Sequence, residues 1–212
     1  MDAGYQHSAV CCGGRVWIFG SNSNLQTGIS EGRKSIGHFV EGLEDIIHVS
    51  CGYSHTATVD NFGIVWTFGS NKEGQLGRAT ASSESDIPEK VIKLPLITQV
   101  ACGLLTLCLD ENNNVWCFGS QEFRSSDFTS AEILPRQIPE LCNIHSVHTG
   151  QNHSICLDRD GFVWGFGDND IYQIGLKEAT TVKTPTIVPD LENITHVSVG
   201  YSHSAFLNEE GR

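Results

Sequence analysis

The chain has 212 residues, with 13 Lys and Arg against 25 Asp and Glu, which gives a formal net charge of −12 at pH 7. Hydrophobic residues make up 39% of the chain and charged residues 18%, a balance that excludes a largely disordered protein. The 22 Gly argue against an all-helical bundle. The acidic balance also disfavours direct binding to nucleic acid, which depends on Lys and Arg neutralising phosphates.

The first predicted unit, residues 1–45, contains two motifs that recur later in the chain. Gly4 and His7 form Gly-x-x-His, and Trp17 and Gly20 belong to Val-Trp-x-Phe-Gly about ten residues further on. Short runs rich in aromatic and β-branched residues predict strands rather than helices.

The second unit, residues 46–96, shows the pattern most clearly. Runs at 46–51, 54–59 and 64–68 predict three strands, and residues 60–63 predict a tight turn between the last two, because Asn and Gly tolerate positive φ. A third motif, Gly-Gln-Leu-Gly, follows. The recurring residues of this unit are Gly52, His55, Trp66, Gly69, Gly74 and Gly77.

The third unit, residues 97–143, departs most from the pattern. Thr106 stands where the His is expected, and Gly-Gln-Leu-Gly is missing. The recurring residues that this unit keeps are Gly103, Trp116 and Gly119.

The stretch that replaces the missing motif carries Phe123, Arg124 and Phe128. Aromatic residues and Arg are enriched at protein interfaces. Two interpretations stay open: these residues form an interaction loop, or the repeat has drifted and the Phe side chains fill the space of the missing Leu.

The fourth unit, residues 144–193, restores the pattern, and a partial fifth unit, residues 194–212, has no Trp. The recurring residues here are Gly150, His153, Trp164 and Gly167 in the fourth unit, and Gly200 and His203 in the fifth. The strongest metal candidate of the chain is the trio of His145, His148 and His153. Residues 145 and 148 would point to opposite faces of a strand, so a shared ion is disfavoured and we expect no metal and no cofactor.

The repeat period indicates the fold. All four Trp lie in the Val-Trp-x-Phe-Gly motif, at spacings of 49, 50 and 48 residues. A unit of about four short strands and roughly 50 residues has the size of a propeller blade. All six Pro fall between one Trp motif and the next unit, where an outer edge strand tolerates Pro. We therefore expect an all-β fold, a β-propeller of four-stranded blades with about four units and the start of a fifth, in an incomplete ring.

The ordered set of Gly-x-x-His-Ser/Thr, Asp-x-x-Gly-x-Val-Trp-x-Phe-Gly and Gly-Gln-Leu-Gly strongly resembles the regulator of chromosome condensation repeat, along the whole chain. That resemblance implies a seven-bladed type of propeller. It implies no single activity, because the family ranges from a guanine-nucleotide exchange factor for the Ran GTPase through large ubiquitin ligases to a plant ultraviolet-B photoreceptor.

Each motif predicts a structural role. The Gly of Gly-x-x-His permits a tight turn or a close backbone approach, and the His is expected to donate a ring N–H to a neighbouring backbone carbonyl and so tie one blade to another. The alternative, five channel-lining positions acting as a metal or acid–base site, lacks a carboxylate that recurs beside them. Trp66 and Phe68 are expected to pack between sheets, with ligand stacking as the alternative. Gly74-Gln75-Leu76-Gly77 lacks the Lys-Ser/Thr of a phosphate loop and predicts a blade-crossing loop anchored by Leu76.

These observations favour a non-catalytic protein–protein interaction scaffold of the cytoplasm or nucleus, without a membrane span. Two alternatives remain: a guanine-nucleotide exchange factor for a Ran-like small GTPase, and a substrate-recruiting fragment of a ubiquitin ligase. The expected partners are proteins, a small GTPase among them. The exchange factor of the family relies on a projecting β-wedge, for which the units offer no inserted segment.

Overall fold

The computed structural model describes residues 1–30, 32, 34–119 and 133–212. These residues form 18 strands joined by turns and loops. Among them there is no helix long and apolar enough to cross a membrane.

Blades 1 and 2 are four-stranded sheets. Blade 1 consists of β1 (Asp2–Ala3), β2 (His7–Cys12), β3 (Arg15–Ser21) and β4 (Lys34–Phe39). Blade 2 consists of β5 (Ile46–Cys51), β6 (His55–Asp60), β7 (Val65–Ser70) and β8 (Glu84–Lys90).

Blades 3 and 4 repeat this arrangement, and a two-stranded sheet begins blade 5. Blade 3 consists of β9 (Ile97–Cys102), β10 (Leu105–Asp110), β11 (Val115–Gly119) and β12 (Arg136–Gln137). Blade 4 consists of β13 (Ile144–Thr149), β14 (His153–Asp158), β15 (Val163–Gly167) and β16 (Val182–Ile187). Blade 5 consists of β17 (Ile194–Val199) and β18 (Ser204–Asn208).

Every blade is an antiparallel meander in which strands that follow each other in the chain are neighbours in the sheet. The first strands of the five blades surround one central channel. The fourth strands form the outer edges, and Pro88 in β8 and Pro185 in β16 lie there because an edge strand needs backbone donors on one side only. The expected all-β propeller of four-stranded blades is confirmed, with the Val-Trp-x-Phe-Gly strand third in each complete blade.

The hydrophobic core lies between blades rather than within one sheet. Phe68 of blade 2 packs in a cluster with Ala9 and Ile18 of blade 1. In the same way, Phe118 of blade 3 packs with blade 2 and Phe166 of blade 4 packs with blade 3. In blades 2, 3 and 4 the third strand therefore inserts its Phe against the preceding blade, which fixes the order and spacing of these blades.

In blade 1, no described residue covers the side of the sheet that carries the Phe of the third strand, and this Phe is exposed. Phe19 occupies the position of Phe68, yet 42% of Phe19 is exposed while Phe68 is fully buried. Trp17, next but one to Phe19 in the strand, is 38% exposed and packs edge-on against Phe39, with ring centroids 4.9 Å apart.

Candidate functional site

The recurring His lies at the junction between consecutive blades. His55 Nε2 is 2.7 Å from Thr106 Oγ1 of the next blade, and Thr106 Oγ1 donates to the carbonyl of Gln75 at 2.9 Å. A hydroxyl has one proton, so Thr106 accepts from the ring and His55 carries its proton on Nε2. The same chain of two hydrogen bonds joins His7 to Thr56 and Gln26, and His153 to Ser204 and Gln173.

This geometry corrects the expected partner of the His. The sequence predicted donation to a neighbouring backbone carbonyl, whereas the ring bonds a hydroxyl of the next blade. The hydroxyl in turn donates to a carbonyl in the blade that supplied the His, so the predicted tie between blades is present with a different partner. The hydroxyl residues Thr56, Thr106 and Ser204 were not predicted from the sequence as partners of the His. Their signal was the Ser or Thr that directly follows the His in the motif.

The third unit is also corrected. Leu105, not Thr106, occupies the His position, because Leu105 pairs with Gly119 as His55 pairs with Gly69. The turn after Gly103 is one residue shorter than the turn after Gly52: the Gly103 N–H donates to the Leu105 carbonyl and the Gly52 N–H to the His55 carbonyl. Thr106 is therefore the hydroxyl partner of His55 rather than a substitute for a missing His.

The junction histidines are held neutral. Burial lowers the pKa of His55 to about 3 and the pKa values of His7 and His153 to about 4. Desolvation disfavours the charged imidazolium, and none of the three rings has a carboxylate as its hydrogen-bond partner. A neutral ring that donates to a hydroxyl fits a structural tie better than an acid–base group working near pH 7.

Three of the four Trp residues, those of blades 2, 3 and 4, are fixed by an Asp that precedes them in the chain. Asp60 Oδ1 accepts from the N–H groups of Phe62 and Ile64 at 3.0 and 2.9 Å, and Asp60 Oδ2 accepts from Trp66 Nε1 at 3.0 Å. Trp116 and Trp164 bond Asp110 and Asp158 in the same way, each at 3.0 Å. Phe68 is fully buried in the cluster between blades 1 and 2. Trp66 is half-buried, packs against the same cluster and is tied to the turn through its ring N–H, so the expected packing between sheets is confirmed for both residues.

The Gly-Gln-Leu-Gly loop connects β7 to β8 within blade 2 and contacts blade 3, so it is not the blade-crossing connection that the sequence predicted. Leu76 is fully buried, and Asn71 holds the loop through bonds to Leu76 N–H and the Arg78 carbonyl. A Cβ on Gly77 would lie 2.8 Å from the Phe118 ring of blade 3, so a side chain there would displace that ring. The loop carries both the carbonyl of Gln75 and the surface that receives Phe118.

The Gly of Gly-x-x-His serves close approach between blades. A Cβ on Gly52 would lie 2.7 Å from the Gly103 carbonyl oxygen, and one on Gly103 would lie 2.1 Å from the Gly150 carbonyl oxygen. Positive φ is instead a property of the Gly that ends Val-Trp-x-Phe-Gly, as in Gly69 with φ of 109°. The close approach is confirmed, and the positive φ belongs to the other motif.

The histidines of the metal candidate do not converge. His148 Nε2 lies 3.0 Å from Ser146 Oγ at the channel, His145 lines a separate cavity beside blade 5, and His153 is a junction residue. The described part of the chain contains no group of three or more His, Cys, Asp or Glu placed to hold a metal ion. The candidate interaction residues Phe123, Arg124 and Phe128 lie outside the described residues.

Three tyrosines that the sequence analysis did not single out meet at one mouth of the channel. Tyr5, Tyr53 and Tyr201 follow the Gly of Gly-x-x-His in blades 1, 2 and 5. They line a cavity of about 120 Å³ that opens beside the channel cavity of about 280 Å³. Their signal in the sequence was the repeated Gly-Tyr pair, but Tyr5 and Tyr201 lie four repeat units apart, so the pattern did not predict that their rings meet.

The chain matches the family model "Regulator of chromosome condensation (RCC1) repeat" at residues 13–59, 63–105 and 160–207, together more than half of its length. A second model with the same description matches residues 46–75. The residues left unmatched between 105 and 160 contain the third-unit stretch that lacks Gly-Gln-Leu-Gly.

Two curated proteins and one solved structure illustrate the similarity. E3 ubiquitin-protein ligase HERC2 of Homo sapiens is 26% identical over 98% of this chain and 5% of that protein, and the protein RCC2 homolog of Danio rerio is 27% identical over 93% and 48%. The crystal structure of Prp20p from Saccharomyces cerevisiae, described with its binding properties to Gsp1p and histones, superposes with a TM-score of 0.83 at 19% identity, over 98% of this chain and 56% of Prp20p.

The chain thus spans about half or less of the proteins it resembles. The structural likeness shows the fold, while the family-model match rests on the recurring residues described above. By these matches and by its blade geometry, the chain belongs to the regulator of chromosome condensation (RCC1) repeat family.

Proposed function

We propose that this chain is a non-catalytic scaffold that binds protein partners through the loops at the ends of its blades. The observation that carries the proposal is how the recurring polar side chains are engaged. His55 bonds Thr106, Trp66 bonds Asp60, and Asn71 closes its own loop. The residues that recur are used to hold blades together, so recognition falls to the exposed positions that differ between blades.

The relatives support protein binding as the general role. Prp20p is described with binding to Gsp1p and histones, which shows that a propeller of this fold can carry protein-binding surfaces. HERC2 is a ubiquitin ligase of which this chain spans 5%, so a substrate-recruiting role within a larger ligase is a narrower version of the same proposal. We place the scaffold in the cytoplasm or nucleus.

Exchange on a Ran-like GTPase is the second candidate, favoured by the binding of Prp20p to Gsp1p. It ranks below the scaffold because every strand of the described ranges belongs to a blade sheet, which leaves no additional hairpin there to act as a wedge. An exchange factor must bind the nucleotide-free GTPase better than the loaded one, and this requires a large preorganised surface.

Photo-crosslinking in cells tests the scaffold. A benzoylphenylalanine would replace either Tyr53 at the channel mouth or Phe62, which is 67% exposed at the opposite ends of the blades. The matched control would carry the same group in place of Ile187, which is 45% exposed on the outer edge. We expect discrete protein adducts from at least one blade-end position and none from Ile187. Adducts from neither blade end would contradict the proposal.

Nucleotide release separates the two candidates. With the chain in excess over a Ran-type GTPase loaded with a fluorescent nucleotide, we expect no acceleration. A tenfold or larger acceleration, which corresponds to about 1.4 kcal/mol of barrier lowering, would rank the exchange factor first.

A further inference from the structure

The tyrosine cluster, Tyr5, Tyr53 and Tyr201, is an exposed group of aromatic rings at the axis of the propeller. The rings of Tyr5 and Tyr53 are stacked with centroids 4.5 Å apart and an interplanar angle of 15°. Tyr201 approaches the Tyr5 ring with centroids 5.6 Å apart and an angle of 37°. Tyr5 is 50% exposed and Tyr201 49% exposed, so much of the cluster faces solvent.

The backbone beneath the rings is rigidly held. Tyr5 N–H donates to the Gly52 carbonyl at 3.2 Å, and Tyr53 N–H donates to the Gly103 carbonyl at 3.0 Å. Gln151 N–H donates to the carbonyl of Tyr201 at 2.9 Å. These bonds run from blade to blade and hold the backbone that carries the three rings, and the contacts between the rings limit their motion further. A ligand would therefore lose less conformational entropy on binding than it would at a flexible loop.

The described residues that line the mouth cavity carry no charged side chain of either sign, so a cation would meet no repulsion there. No Lys or Arg side chain is found among the described residues that line the mouth cavity or the channel. Asp2 and the amino end of Met1 lie further along the channel, where burial lowers the pKa values of His48 and His148 and keeps both rings neutral at pH 7. The chain as a whole has a formal charge of −12, which attracts cationic segments at long range.

We propose that the tyrosine cluster binds an arginine side chain presented by a basic segment of a partner protein. The proposal deepens the scaffold function and rests on it. The π face of an aromatic ring attracts a cation, and a planar guanidinium can extend the existing Tyr5–Tyr53 stack while its N–H groups reach phenol oxygens or backbone carbonyls at the rim. A Lys ammonium lacks the planar face and binds more weakly.

Peptide binding tests this inference directly. The probe is a fluorescein-labelled hexa-arginine peptide, titrated by anisotropy with the whole chain at fixed salt. The test variant is the double substitution Tyr53→Leu and Tyr201→Leu, which keeps the net charge. The control is Tyr172→Leu: Tyr172 is 59% exposed outside the cluster, and its positive φ of 63° is matched by Leu25 at the equivalent loop position of blade 1.

We expect the double Leu variant to bind hexa-arginine at least tenfold more weakly than the unaltered chain, and Tyr172→Leu to bind within twofold of it. A second double variant, Tyr53→Phe and Tyr201→Phe, retains the rings and should keep most of the affinity. The Phe variant also keeps the test decisive should the Leu variant prove poorly folded. Tetramethylammonium chloride should compete more strongly than sodium chloride at equal ionic strength, because it engages ring faces.

Equal affinity of the unaltered chain and a folded double Leu variant would overturn the proposal. So would tighter binding of a hexa-proline peptide, which would identify the cluster as a site for polyproline segments, or of a hexa-glutamate peptide. Loss of arginine binding with blade-end crosslinks intact would reject this inference alone. Absence of crosslinks from both blade ends would reject the proposed function itself.

Discussion

Two equivalent junctions are held by different polar side chains: the junction between blades 2 and 3, and the junction between blades 3 and 4. At the first, His55 bonds Thr106, and Ser50 Oγ accepts from Cys102 N–H at 3.0 Å. At the second, Leu105 replaces the His and Ala101 stands at the position of Ser50.

The second junction instead uses a side-chain amide. The Gln99 amide donates to the Val147 carbonyl at 2.9 Å and accepts from the Val147 N–H at 3.1 Å. Both junctions keep the buried Phe of the following blade, Phe118 in one and Phe166 in the other. The comparison shows that the inserted Phe is common to both junctions, whereas the polar contacts that join the blades differ between them.

The largest expected effect is therefore the same at both junctions. Phe118→Ala and Phe166→Ala should each lower the free energy of unfolding by about 3–5 kcal/mol, through lost burial and a cavity. Phe19→Ala is the matched control, since Phe19 holds the same repeat position but is 42% exposed. Chemical denaturation measures all three, and a loss at Phe118 as small as the loss at Phe19 would contradict the interblade core.

Acid should destabilise the junction between blades 2 and 3, which contains His55, more than the junction between blades 3 and 4, where Leu105 takes the His position. The folded pKa of His55 is about 3, below the ordinary value of 6.5, so the unfolded state binds more protons between these values. The stabilising contribution is present at pH 7 and is lost as the pH falls from about 6.5 towards 3. The variant His55→Gln retains an N–H donor but does not titrate. When the pH is lowered from 7 to 5, its free energy of unfolding should fall by about 2 kcal/mol less than that of the unaltered chain.

Denaturation curves at the two pH values give this difference. The same loss of stability in both proteins would show that His55 is not held neutral by the fold.

The amide connection between blades 3 and 4 should have a smaller effect. Gln99→Leu removes both bonds to Val147 and should cost about 1–2 kcal/mol, because a buried N–H and carbonyl lose their partners. Gln137→Leu, at an exposed edge position of blade 3, should change the unfolding free energy by less than about 0.5 kcal/mol. If the two substitutions proved equivalent, Gln99 would have no role in joining the blades.

Much of the fold follows from the sequence because each local signal repeats. The four Trp motifs, the Pro between units and the strand pattern all indicate the same four-stranded blade, and agreement among independent signals makes a fold predictable. Burial of Leu76 was also predictable, because a single apolar residue between two Gly in a polar loop is stabilised mainly by burying its side chain.

The chemistry of the junctions was harder to predict. Gly103 and Thr106 are separated by three positions, as are Gly52 and His55, so counting residues aligns Thr106 with the His. Only the strand register shows that the turn is one residue shorter and that Leu105 takes the His position. The tyrosine cluster was not predicted from the sequence for a different reason. The contact between Tyr5 and Tyr201 depends on how five blades curve together, and no local sequence pattern encodes that curvature.

A double-mutant cycle on His55 and Thr106 tests most directly whether the hydrogen-bond chain joins the blades. The variants are His55→Leu, Thr106→Val and the pair, with unfolding free energies measured at pH 7. We predict a coupling energy of about 1 kcal/mol. For the matched cycle of Leu105→Ala with Ser154→Ala at the next junction, where Leu105 takes the place of the recurring His, we predict less than about 0.3 kcal/mol. Additive effects of the His55 and Thr106 substitutions would contradict the central claim that the recurring His ties one blade to the next.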